Sequence, residues 1–196
     1  MSRYFLYDTR FSELEQMMML VPNFTSRKRG LIIMGNLESD AESIKDQLDY
    51  KALLQSSFFT LHNRYWNKRL RNLIKCWNGE WFLSGGHKQR FMSHHLPYSS
   101  KQLCAVIYLL SVDEDLWCRA CKHISEDKIN WSEMILRGIN VDSYALYQTA
   151  KTIATGKEYI HINEIADEQL IGNFSFKAII HGILIAKNGI SVLGKI

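Results

Sequence analysis

Proline is nearly absent: Pro22 and Pro97 are the only two in 196 residues. A β-sandwich or barrel reverses its chain many times and uses proline to preset those turns, so the scarcity speaks against such folds. Long apolar runs are missing too. The longest uncharged stretch near the C-terminus, residues 178–186, spans nine residues and contains His181, too short to cross a bilayer. Arg3, Asp8 and Arg10 interrupt the only apolar stretch at the start, so no export signal is expected there. Four cysteines without such a signal predict free thiols in a reducing compartment, the cytoplasm. One further absence is local. From Lys51 to Lys75 there are six basic residues and no acid.

What is present reads as helices. The predicted fold class is mainly α, a multi-helix bundle with at most a small β element near the N-terminus, where residues 3–7 alternate and residues 31–34 are apolar. Asp8 or Thr9 begins a first predicted helix that closes at Pro22, and Ser39 or Asp40 begins a second. A third is expected over 57–77. Later helices are expected from His87, capped at Ser99, capped at Asp113, from Asn130 with Glu133 as a capping box, from Asp142 or Ser143 to Gly156, and over 174–187. Asn78-Gly79 and Ser84-Gly85-Gly86 form the best boundary, giving a basic N-terminal portion, 1–83, and a C-terminal helical bundle, 84–196, which can also be one continuous domain.

The run Trp117-Cys118-x-x-Cys121-Lys122 has the look of a thioredoxin-type redox site. That chemistry needs the first cysteine at a helix N-terminus, where the dipole favours the thiolate. Here Asp113, Glu114 and Asp115 occupy the helix start, and their charges oppose a thiolate. Zinc is the stronger functional reading of the pair. Cys118 and Cys121 share one helix face, and Cys104, His94 or His95 would have to complete four ligands. Against both stands a plain core role, because free cysteine packs as a small apolar residue. No cofactor is therefore expected, with zinc as the alternative.

The basic stretch is more informative. At about 100° per residue, Arg64, Lys68, Arg71 and Lys75 fall within an arc of roughly 60°. Phe58, Tyr65, Trp66, Leu70, Leu73, Ile74 and Trp77 are expected on the opposite, core-facing side. Like charges at this spacing repel by a few tenths of a kcal/mol each, about what an i,i+4 acid would return. An anionic partner removes that cost, and nucleic-acid phosphate is the commonest. Arg27, Lys28 and Arg29 would extend the surface. The competing readings are a solvated face and a helix docked on Glu38, Asp40, Glu42 and Asp46.

Other motifs carry less. Residues 134–154 have the outline of a helix-turn-helix about Gly138, but its second helix has few cations. Ser84 to Arg90 could gather an anion on glycine amides, His87, Lys88 and Arg90, yet lacks the phosphate-loop spacing. No Ser-His-Asp order, carboxylate pair or nucleotide fingerprint stands out, so a non-enzymatic role is favoured.

From His87 to about Ile185 the chain resembles an uncharacterised helical domain family of Firmicutes and their mobile elements. The likeness is carried by His87-x-x-Arg90-Phe91, Ala105-x-x-Tyr108-Leu109-Leu110-x-x-Asp113-x-x-Leu116, Ile129-x-Trp131 and Leu146-x-x-x-Ala150. It implies a helical fold and an accessory setting on a plasmid, phage or conjugative element, and no activity. The resulting expectation is an accessory protein that contacts nucleic acid or a nucleoprotein through its basic helix. It could act as an inhibitor or regulator of a host nucleic-acid enzyme. Two alternatives stand beside it: a small zinc protein or enzyme, and a structural protein-interaction module with an apolar patch.

Overall fold

Residues 103–112 form a stretch in which every side chain is buried. A helix apolar on all sides must sit at the centre of a bundle, and the computed structural model places it there. It describes residues 49–58, 63–94, 100–125 and 128–193. The chain divides after Leu48, and everything described belongs to the second unit, Asp49–Ile196. The expected 83/84 boundary falls inside that unit. The N-terminal β element, the first predicted helix and the start of the second lie outside the described residues.

Eight helices build this unit among the described residues. Residues 49–58 form α1, which buries Tyr50, Leu54 and Phe58 at the four-residue spacing of one helix face. The next three are α2 (Arg64–Lys75), α3 (Gly85–Ser93) and α4 (Lys101–Leu110). Then follow α5 (Glu114–Ala120), α6 (Val141–Thr155), α7 (Ile162–Ala166) and α8 (Asn173–Asn188). The central helix α4 packs on both α6 and α8, which also pack on each other, and α2 packs on α7. The only β pairing among the described residues is an isolated antiparallel bridge between Ile124 and Ile129. This is a multi-helix, all-α fold.

The helix ends follow local chemistry. Ser84 Oγ accepts from His87 N at 3.1 Å, Ser100 Oγ from Leu103 N at 3.2 Å and Asp113 Oδ1 from Leu116 N at 2.8 Å. Each satisfies an amide that the first turn leaves without a helical partner. Gly156 ends α6 at φ +70°, a left-handed conformation that glycine adopts without strain. Two expectations are corrected. The single helix over 57–77 does not form, because Asn63 is extended (φ −113°, ψ 116°) and caps a new helix at Arg64. The helix expected from Asn130 reduces to a 3₁₀ turn, Trp131–Glu133. Residues 134–140 are not helical, so residues 134–154 form no helix-turn-helix.

No helix among the described residues is long and apolar enough to cross a membrane.

Candidate nucleic-acid interface

Helix α2 is fixed by its apolar side. Trp66 and Leu70 are fully buried. The Trp66 ring meets Phe58 edge-on at 5.8 Å and Phe176 of α8 at 5.5 Å. Arg69, one residue before Leu70, is also buried, and it works as a clamp. Its Nη1 donates to the Ile165 carbonyl at 2.9 Å and to the Asp167 carbonyl at 3.3 Å, and its Nη2 donates to Asn173 Oδ1 at 3.3 Å. The guanidinium lies 4.1 Å over the Phe176 ring. Arg69 thus caps the open carbonyl end of α7 and ties it to the start of α8. Burial pulls its pKa downward, and the nearby charges of Glu168, Asp142 and Asp167 act against that pull.

The other four cations of α2 face out. Arg64, Lys68, Arg71 and Lys75 are all exposed. No acid occupies the first turn of α2, and Lys75 stands in the last. Lys68 Nζ lies 3.5 Å from Glu168 Oε1, with both side chains about half exposed or more. A pair this exposed contributes about 0–1 kcal/mol and is readily exchanged for another anion. Among the described residues, Arg64, Arg71 and Lys75 pair with no carboxylate. Arg27, Lys28 and Arg29, and the acids from Glu38 to Asp46, lie outside the described residues.

Tyr65 departs from its expected place. The expectation places it on the core side, and it is 72% exposed. With Asn63, Lys68, Asn163, Ala166, Asp167, Glu168 and Gln169 it lines an open groove of about 630 Å³ between the start of α2 and the end of α7. Asn63 is committed there. Its Oδ1 accepts from Trp66 N at 3.0 Å, and its Nδ2 donates to Asn163 Oδ1 at 2.8 Å.

The zinc candidates are dispersed in character. Cys104 is buried in α4, where burial pushes its thiol pKa up. Cys118 is exposed on α5, against the expectation of a core thiol, because it stands about 200° around the helix from the buried Leu116 and Ala120, and Cys121 opens a 3₁₀ turn, Cys121–His123. His94 lies edge-on to Trp117 with ring centroids 5.9 Å apart, and His95 lies outside the described residues. Among the described residues no three His, Cys, Asp or Glu side chains converge as a metal site would need. The Ser84–Arg90 stretch is not a loop, since Ser84 caps α3 and the residues after it form its first turns. His87 is buried, and Arg90 is spent on the carbonyls of Ser111 (2.8 Å) and Val112 (2.9 Å).

The polar centre of the fold went unseen in the sequence. Tyr50 Oη donates to His181 Nε2 at 2.9 Å, and His181 Nδ1 lies 3.0 Å from the Trp81 carbonyl, so the ring is neutral with its proton on Nδ1. Tyr108 Oη donates to the same carbonyl and lies 3.1 Å from His181 Nδ1. Next to it, Leu83 N donates to His87 Nδ1 at 3.3 Å, and His87 Nε2 donates to the Tyr108 carbonyl at 3.0 Å. Burial holds both imidazoles far below their usual pKa, His87 at about 4 and His181 at about 3. Every ring nitrogen of the two histidines is bonded, so the cluster is a satisfied core network.

Comparison of the chain with family models, curated proteins and solved structures gives no match.

Proposed function

We propose that the protein is a non-enzymatic accessory factor that binds nucleic acid, alone or within a nucleoprotein, through the outer face of α2. The observation that carries this is the stripe of Arg64, Lys68, Arg71 and Lys75. All four are exposed, among the described residues only Lys68 touches a carboxylate, and that contact is weak. Arg69, from the same helix, shows the contrast: where a cation serves the fold, it is buried and bonded. Phosphates laid along the stripe would relieve its self-repulsion and release condensed counterions. Arg27, Lys28 and Arg29 would extend the basic surface in sequence. The family resemblance adds a setting on a mobile element and allows a role as regulator of a host nucleic-acid enzyme.

The test is binding as a function of salt. Four phosphate contacts predict log Kobs falling with log[salt] at a slope of about −3 to −4. Changing all four residues to Glu should abolish binding while the thermal transition stays in place, since none of them enters the core. A salt-independent interaction, or undiminished binding by the four-Glu variant, would sink the proposal.

A further inference from the structure

Tyr65 is a large aromatic side chain left 72% in solvent on the one helix that carries the cation stripe. Counting about 100° per residue, its Cβ lies roughly 60° around α2 from Lys68, on the side toward α7. The ring therefore stands between the stripe and the groove of about 630 Å³ that it lines with Lys68, Asn163 and Gln169. The groove has a different character from the stripe. Its rim includes Asp167 and Glu168, which repel phosphate, and the amides of Asn163 and Gln169, which can donate and accept. Such a surface suits the uncharged, hydrogen-bonding edge of a nucleobase better than the backbone.

On these grounds, and resting on the phosphate-binding reading of α2, we infer that the ligand is single-stranded nucleic acid. Its backbone follows the stripe, and one unstacked base lies on Tyr65 with its edge turned toward Asn163 and Gln169. A duplex keeps its base faces inside its own stack, so it can engage the cations but not the ring. A single strand can use both, and base–aromatic stacking tolerates any base because each presents a π face. The groove amides, and the carboxylates as acceptors for an exocyclic amine, would add a modest base preference. Single-stranded DNA and RNA share this chemistry, and the experiment separates them.

Fluorescence anisotropy would be measured on the full chain with a labelled strand of alternating A and C. That sequence would be presented as DNA, as RNA, and as DNA annealed to its complement. The wild type should bind at least one single strand several-fold more tightly than the duplex, and the tighter of the two strands identifies the natural source. Tyr65→Ala should lose roughly 5- to 150-fold on that strand, the worth of one stacked base, and almost nothing on the duplex. Tyr65→Phe, which keeps the ring, should bind as the wild type does. Unchanged strand binding by Tyr65→Ala, or a duplex bound as tightly as the tighter of the two strands, overturns the inference. If the four-Glu variant still loses binding in that case, phosphate recognition by α2 survives it. If the wild type binds none of the three, both readings fall.

Discussion

Arg69 and Arg71 stand two positions apart in one helix and do opposite jobs. Arg69 is 2% exposed and closes the carbonyl end of α7, whereas Arg71 is exposed and unpaired among the described residues. Replacing Arg69 by Met keeps much of its apolar stem but strands the Ile165 carbonyl and removes the charged donor. The expected loss is about 2–3 kcal/mol, read as a lower urea midpoint with an unchanged m-value. Arg71→Met should leave stability within about 0.5 kcal/mol and should weaken nucleic-acid binding instead. Equal destabilisation by the two changes would show that the exposed stripe also holds the fold. A count of basic residues cannot make this distinction, because the carbonyls that capture Arg69 lie 96 and 98 residues downstream. Tyr65 was misplaced for a related reason. On the helix wheel it stands at the flank, roughly 60° from Lys68 and about 100° from Trp66, and α7 leaves that flank open instead of covering it.

At the level of elements, the sequence was most readable where the determining contact is local. The caps at Ser84, Ser100, Asp113 and Asn140, and the stop at Gly156, depend on residues within one turn, and the expected helix ends fell within a few positions of them. Over 57–77 apolar spacing suggested one helix, and Asn63 overrode it. Its side chain accepts from Trp66 N and so starts the helix afresh. The crossing of α4 and α8 depends on Gly182 and was not legible, because nothing near Gly182 in sequence announces its neighbour. A Cβ on Gly182 would stand 2.7 Å from Leu109 Cγ and under 3 Å from both Leu109 methyl carbons. Gly182→Ala should therefore destabilise the protein by about 1–3 kcal/mol through overpacking. Adding Leu109→Ala to Gly182→Ala should cost clearly less than the sum of the two single changes, since the second removes the clash made by the first. Strict additivity of the denaturation free energies would mean that the two helices are not locked at this point.

For the whole molecule, the centre that joins distant parts of the chain is polar, and its pH response follows from its bonding. His181 meets Tyr50 from 131 residues earlier and Tyr108 from 73 residues earlier, with His87 beside Tyr108. Separations of that size leave no trace in local patterning, which is why His181 read as an ordinary helix residue. Both imidazoles are held neutral in the folded protein, His87 with a pKa of about 4 and His181 with one of about 3, while the unfolded chain protonates near 6.5. Between these values the unfolded state binds more protons than the folded state, so stability rises with pH. The contribution is complete above about pH 6.5 and is lost progressively as pH falls below it. At about pH 5 each histidine accounts for a loss of roughly 2 kcal/mol. Urea titrations at about pH 7.5 and about pH 5 should show that difference as a fall in midpoint. His181→Gln should be less stable at the higher pH, because the Tyr50 and Tyr108 hydroxyls lose a well-placed partner. It should also give up about half of the pH-dependent difference. If the variant instead kept the full wild-type fall between the two pH values, His181 would not be the proton-sensitive group, and the neutral network at the centre of the bundle would be wrongly assigned.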